Sequence, residues 1–299
     1  MKVIYFQDPQ GNFGDELNRW IWPRLFEGAI SGFGHHSQET FEGNRAEALL
    51  FYGIGTILDD RIPVEPQKII FGSGFGYGRP LTDTQNCDIA FVRGKKTAES
   101  IGASVDKALT DPAILLRRFF PLVPEEAKLY DVSFMPHHST TAGGFWERIC
   151  KELGINYISP TGFDVESVVA QISASRLMIA EAMHGAIVAD TFRVPWIPVS
   201  SVAETNPFKW QDWCGSLNLE YSPKNLTPIF KNNGSSPIKD ILNQAKRFIR
   251  KNELRGLLTD KARILLSDSS TLDSHRDEMD RLVKELQVQL LGRKQDDGH

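Results

Sequence analysis

The stretch Arg176-Leu177-Met178-Ile179-Ala180-Glu181-Ala182-Met183-His184-Gly185-Ala186-Ile187-Val188-Ala189 changes character half-way along. Its start is a continuous apolar run, the pattern of a strand covered on both faces. Its end is a helix of small and apolar residues that begins at His184. A strand leading straight into a helix is half of the repeating unit of a parallel sheet. Seven further runs of the same kind lie at 2–6, 48–52, 68–71, 88–92, 129–135, 155–158 and 196–199. Helical spacing appears between them. After Gly14, the residues Leu17, Trp20, Ile21 and Leu25 share one face, and Phe145, Ile149 and Leu153 do the same after Gly144. Val165, Val168, Val169 and Ile172 follow Asp164, which suits a helix N-cap. The alternation predicts an α/β protein.

Eight strands divide best into two sheets. Pro121, Pro124 and the stretch Glu125-Glu126-Ala127-Lys128 read as a connector. The reading therefore places one domain at 1–122 and a second at 127–225. A loop at Asn232-Asn233-Gly234-Ser235-Ser236-Pro237 leads into a helical segment at 236–292. One stripe of that segment comprises Ile238, Ile241, Leu242, Ala245, Phe248 and Ile249. Another comprises Met279, Leu282, Val283, Leu286 and Leu290. Both stripes need an apolar surface to cover, so these helices are expected to pack back on the α/β body.

The chain has 299 residues, 41% hydrophobic and 24% charged, as in globular proteins. A net charge of −4 gives no basic field for nucleic acid. Three separated cysteines, Cys87, Cys150 and Cys214, read as packed, reduced thiols. The opening apolar run meets Gln7-Asp8-Pro9 too early for a signal peptide, and no run reaches the ~20 residues of a membrane span. The expectation is a soluble, cytoplasmic protein.

In open parallel sheets, ligands bind beyond the carboxyl ends of the strands. The residues that follow the predicted strands are Gly11-Asn12-Phe13-Gly14-Asp15, Gly53 and Gly55, Gly72-Ser73-Gly74-Phe75-Gly76, and Arg93-Gly94-Lys95-Lys96. In the second half they are His137-His138-Ser139, Ser159-Pro160-Thr161 and Glu181-Ala182-Met183-His184-Gly185. Glycines permit close backbone approach, and helix N–H groups face an anion. Each element also has a plainer reading. The first glycine loop could be only a tight strand-to-helix turn, and Arg93-Gly94-Lys95-Lys96 only a solvated cluster. The Gly72–Gly76 run lacks the spacing of a nucleotide-binding fingerprint. An arginine that ends an apolar strand normally has an anionic partner. His137 and His138 have no third ligand at a recognisable spacing, which argues against zinc. His184, at the mouth of an apolar strand, is an unusual place for a core histidine.

The same residues carry a resemblance. Asn12-Phe13-Gly14-Asp15 looks like the N-terminal signature of the polysaccharide pyruvyl transferase family. Phe91-Val92-Arg93-Gly94 with Thr97, and Thr110-Asp111-Pro112-Ala113, resemble its next two segments in order. Glu181-Ala182-Met183-His184-Gly185-Ala186, with Val194-Pro195-Trp196 downstream, is similar to its histidine–glycine segment. Phe208-Lys209-Trp210-Gln211-Asp212-Trp213 resembles a segment of the branch acting in bacterial exopolysaccharide synthesis. The likeness spans roughly residues 1–217. It implies two Rossmann-like parallel-sheet domains in a GT-B-like arrangement. It also implies that the Arg93 and His184 positions handle phosphoenolpyruvate. Many members carry arginine where this chain has Ala182, so another cation must serve, and Lys95, Lys96, Arg79 and Lys209 are the choices.

The implied reaction transfers pyruvate from phosphoenolpyruvate to two hydroxyls of a sugar or lipid-linked oligosaccharide, as a ketal. It needs no cofactor beyond that donor, and no metal or nucleic acid. It leaves room for peripheral association with the cytoplasmic face of a membrane. His184 is the candidate acid, and Asp15 the candidate base or hydroxyl ligand. Arg93, Asn12, Gly14, Ser73, Gly74, Lys95, Met183, Gly185, His137 and Lys209 are the candidate substrate-binding residues. Two alternatives stand beside it: a GT-B glycosyltransferase with a nucleotide-sugar donor, and a non-catalytic scaffold in a polysaccharide assembly complex.

Overall fold

The computed structural model describes residues 1–36, 48–141, 144–201, 206–228, 237–259 and 263–296. The first stretch of chain builds a sheet from β1 (Lys2–Tyr5), β2 (Gly32–His35), β3 (Leu49–Tyr52), β4 (Gln67–Phe71) and β5 (Cys87–Phe91). Helices α1 (Phe13–Leu25) and α2 (Lys95–Ser100) belong to it. A second sheet follows from β6 (Tyr130–Met135), α3 (Phe145–Leu153), β7 (Asn156–Tyr157), α4 (Val165–Ser173), β8 (Ser175–Ala180), α5 (Met183–Thr191) and β9 (Trp196–Ser200). Then come α6 (Pro207–Ser216), β10 (Lys224–Asn225), α7 (Pro237–Thr259) and α8 (Ser269–Asp296). Every named strand pairing is parallel, in the orders β2-β1-β3-β4-β5 and β10-β9-β8-β6-β7. Two Rossmann-like α/β sheets are therefore present.

The chain forms two compact units, and each draws on more than one stretch of sequence. One unit comprises residues 1–121, 208–220 and 267–299, and the other 122–207 and 221–266. The expected helical segment is accordingly divided, with α7 in the second unit and α8 in the first. Helix α6, read as part of the second domain, is in the first unit from Phe208 onward.

The first unit's core shows why the apolar runs become strands. Trp22 of α1 lies 4.9 Å from the ring of Phe51, 5.7 Å from Phe71 and 6.1 Å from Phe26, centroid to centroid. Its indole N–H donates to the Asn18 Oδ1 at 2.7 Å, so the ring is buried with its polar atom satisfied. In the second unit Phe134, Ile179 and Ile197 from three neighbouring strands pack with Trp146 and Ile149 of α3. Val165, Val169 and Ile172 are buried, and Asp164 caps α4 by accepting the Ser167 N–H at 3.0 Å.

Two strands escape the sequence reading. β2 is Gly-Phe-Gly-His, with no apolar run, and β10 is a pair of exposed polar residues. Both are edge strands whose pairing is set by the neighbour already in the sheet. The α8 stripe forms as expected, with Met279, Val283, Leu286 and Leu290 buried. At the two α7 stripe positions whose side chains are described, the stripe does not form. Ile238, Ile241, Leu242 and Ala245 have side chains outside the described residues, but Phe248 is 67% and Ile249 45% exposed. The inward face carries Arg250, Leu254 and Leu257. Helix α7 packs on α3, and Arg247 and Lys251 both pair with Glu152 there. That face mixes cations with leucines, so hydropathy alone assigned the wrong phase. Leu254→Ala should lower the unfolding free energy in urea titration by about 2–5 kcal/mol. Phe248→Ala should change it by less than about 0.5 kcal/mol.

Candidate active site

A parallel sheet opens a crevice where successive crossovers run in opposite directions from one strand. In the first unit that point lies between β1 and β3, and in the second between β6 and β8. Each unit thus presents a pair of loops there.

At the first, Gly11 adopts φ of 73°, which permits the turn out of β1. Asn12 caps α1 by accepting the Gly14 N–H at 3.1 Å, and Asp15 sits half-buried in the first helical turn. Gly14 is buried. Asn18, fully buried one turn later, donates to the Ile54 carbonyl and accepts the Ile54 N–H, each at 2.9 Å. It joins α1 to the loop after β3. Gly53 in that loop has no room for a Cβ, which would lie 2.4 Å from the Trp22 ring.

At the second switch point, Glu181 is the organising residue. Its carboxylate is fully buried and accepts the His137 N–H at 2.9 Å and the Ser201 N–H at 2.7 Å. The Ser201 hydroxyl donates to it as well, and the Thr140 Oγ1 lies 3.1 Å away. One side chain therefore ties the loop after β8 to those after β6 and β9. His137 pairs through Nδ1 with the Ser139 hydroxyl at 2.9 Å, and its ring lies 4.2 Å from that of His138. His184 is half-buried in the first turn of α5, whose N-cap, Ala182, makes no side-chain cap hydrogen bond. The Gly185 and Ala186 N–H groups donate to the Ala182 carbonyl, and the helix N-terminus ahead of them is suited to an anion. Met183 and Gly185 are buried. A Cβ on Gly185 would lie 3.0 Å from the Met135 Sδ, so this glycine serves helix–sheet packing.

Arg93 meets the anionic partner that its place at the end of an apolar strand calls for. Its side chain is fully buried and its guanidinium is occupied within its own unit. Nε donates to Asp212 Oδ2 at 3.1 Å, Nη1 to the Thr56 hydroxyl at 2.8 Å and Nη2 to the Phe75 carbonyl at 3.0 Å. Asp212 also accepts the N–H and hydroxyl of Thr97, at 3.0 and 2.6 Å. Glycines in the loops after β4 and β5 make room for this pair. A Cβ on Gly74 would fall 2.2 Å from the Arg93 Cζ, and one on Gly94 2.3 Å from the Asp212 carbonyl oxygen. Ser73 is buried and donates to the Gly53 carbonyl. Arg93 and Ser73 are thus buried and bonded within the unit, and Gly74 gives the guanidinium its room.

The remaining cations lie in the first unit. Lys95 is exposed at the start of the short α2. Lys96 bonds to Gln211 at 3.1 Å, Lys209 lies 5.6 Å from the Tyr77 ring centroid, and Arg79 pairs with Asp60. Asp111 caps the 3-10 turn Pro112–Arg118, and Pro112 packs where a Cβ on Gly72 would need to be. Among the described residues no group of three His, Cys, Asp or Glu is placed to hold a metal. Cys150 and Cys214 are buried, and burial pushes the Cys150 thiol up to about 12.

The profile of the polysaccharide pyruvyl transferases matches residues 12–201. The chain belongs to that family. It is a transferase by that membership. The matched span starts at the Asn12 cap and ends at Ser201, bonded to Glu181, so it takes in both switch points. It leaves out α6 to α8, and with them Asp212. The succinoglycan biosynthesis protein ExoV of Rhizobium meliloti (strain 1021) is 39% identical over 229 residues, covering 76% of this chain and 68% of that protein. The solved structure of AviGT4, a glycosyltransferase involved in avilamycin A biosynthesis, aligns over 95% of this chain and 98% of its own. Its TM-score is 0.38 at 11% identity, too distant to bear on the site.

Asp212, Glu181 and Asn18 are the organising residues that sequence reasoning passed over. Each stood inside a quoted motif or beside one. Their partners are far away in sequence, 119 residues for Arg93 and Asp212. Breaking one side of this buried pair by Arg93→Ala should destabilise the first unit by about 3–5 kcal/mol. The double variant Arg93→Met/Asp212→Leu should recover part of that loss in thermal melting.

Proposed function

We propose that this transferase moves pyruvate from phosphoenolpyruvate onto two hydroxyls of one sugar in an exopolysaccharide or its lipid-linked precursor. The observation that carries the reading is His184 in the uncapped first turn of α5, at the β6/β8 switch point of a family member. The Met183 and His184 N–H groups, with the dipole of α5 behind them, would hold the donor's anionic groups, the Gly185 N–H donating to the Ala182 carbonyl at 3.0 Å. They supply charge stabilisation at the place where many relatives carry arginine and this chain carries Ala182. The relation to the succinoglycan protein supports the exopolysaccharide setting.

The chemistry starts with a proton added to C3 of phosphoenolpyruvate, which makes C2 oxocarbenium-like. One sugar hydroxyl bonds to C2, the C2–O bond to phosphate breaks, and the second hydroxyl closes the ketal. One hydroxyl proton balances the proton gained by C3, and the other leaves with phosphate. His184 is the proposed proton donor, a role suited to imidazole. Asp15, at the first unit's switch point, is the second proton-transfer group we propose.

No helix among the described residues is long and apolar enough to cross a membrane. A cytoplasmic enzyme that meets a lipid-linked acceptor at the membrane face is the setting we propose. Incubation with phosphoenolpyruvate and candidate lipid-linked acceptors should add one pyruvyl unit, read by mass spectrometry, with release of phosphate. Transfer of a sugar from a nucleotide donor instead would overturn the proposal. His184→Gln should keep its fold and donor binding while turnover falls by ~100- to 10,000-fold. Loss of donor affinity with saturated turnover intact would make His184 an anion ligand and not an acid.

A further inference from the structure

Helix α7 buries a cation that packing alone does not explain. Arg250 has no exposed surface, and its Nε donates to the Thr227 carbonyl at 2.5 Å. Among the described residues, Nη1 and Nη2 have no hydrogen-bond acceptor. The guanidinium lies instead over Trp146, 4.3 Å from a ring centroid, and 5.6 Å from that of Phe145. Leaving buried donors unpaired is costly, and an apolar side chain of similar volume would avoid the cost. A residue that breaks a local rule at this expense is expected to serve something beyond packing.

Trp146 connects this arginine to the second switch point. Its indole N–H donates to the Thr140 Oγ1 at 3.1 Å. That hydroxyl shares its single proton between the His137 carbonyl at 2.8 Å and the Glu181 carboxylate at 3.1 Å. Glu181 in turn accepts the N–H groups of His137 and Ser201. A buried carboxylate with neutral donors around it also needs a counter-charge. Arg250 is a buried cation that feels the Glu181 charge. Burial pushes its guanidinium down to about 10, opposed by the attraction of Glu181 and then of Glu253. It therefore keeps its charge at neutral pH.

We propose that Arg250 is a positioning residue for the β6/β8 switch point, acting through Trp146 and through its charge on the buried Glu181. In this role α7, outside the span matched by the family, holds the turns that carry His137 and His184. The inference rests on the proposed donor site only for its consequence in catalysis. Its structural content stands separately.

Hydrogen exchange on the full chain tests it. The charged and titratable groups on the elements around it are Glu147, Arg148, Cys150, Lys151 and Glu152 of α3, Arg247, Lys251 and Glu253 of α7, Tyr157 of β7, and Glu181, His137, His138 and His184 at the switch point. Arg250→Met should speed exchange at the His137 and Ser201 amides by at least ~10-fold, the scale of a lost charge-assisted contact. The α4 amides should keep their protection. Arg250→Lys should preserve protection near pH 6.5 and lose it as pH rises towards 9. A buried ammonium loses its proton at lower pH than a guanidinium, so the lysine's charge disappears first. Loosening confined to α7 and Thr227 would reduce Arg250 to a packing residue and overturn the proposal. Equal behaviour of the lysine variant at both pH values would do the same, and it is read within one variant even if the methionine variant fails to fold. The pyruvyl transfer assay on these proteins should show kcat following the amide protection. Failure of the wild type to transfer pyruvate, with the exchange pattern as expected, would remove the functional reading and leave Arg250's role standing.

Discussion

Arg93 has no exposed surface, and a guanidinium in that position must have a carboxylate or be unstable. It finds one in Asp212, 119 residues away along the chain. The consequences run through the first unit. Helix α6 must return to the end of β5, and Gly74 and Gly94 must lack side chains so that the pair can close. Thr97 at the start of α2 bonds to the same carboxylate. The loops after β4 and β5 are thereby committed to internal contacts. Asn18 in turn joins α1, at the end of the loop after β1, to the loop after β3.

The second unit is organised the same way with the charges reversed. Glu181 is a buried carboxylate just beyond the end of β8, and its hydrogen bonds fix the loops after β6 and β9. Arg250, on a helix late in the sequence, acts on it through its charge, whereas Asp212 pairs with Arg93 directly. Each sheet therefore places one buried ionic residue at the carboxyl end of a strand and recruits a distant helix to answer it. Low-dielectric surroundings make such arrangements rigid when satisfied. Rigidity is what a site needs if it is to place a proton donor and an anion within a few tenths of an ångström.

Much of the architecture was legible because apolar runs have a strong physical signature. A strand covered on both faces has to be apolar throughout, so β1, β3, β4 and β8 announce themselves, and Asp164 marks the start of α4. The edge strands β2 and β10 carry no such signature, since each is held by its neighbour and not by its own burial. Helix α7 misled for a related reason. Its inward face is Arg247, Arg250, Lys251, Leu254 and Leu257, and a hydropathy stripe cannot recognise a face built partly from cations.

The chain by itself determined the α/β class, the presence of two sheets and the family. These depend on local pattern and short motifs, which are read residue by residue. Only the tertiary structure decided which polar residues in the loops after the strands face inward. Arg93 and His184 look equally functional in sequence, since both follow an apolar strand. Folding gives Arg93 a buried carboxylate and two further acceptors, while His184 is left half-buried in an uncapped first turn. The carboxylate that Arg93 meets comes from 119 residues along the chain, and no local pattern encodes a partner at that distance.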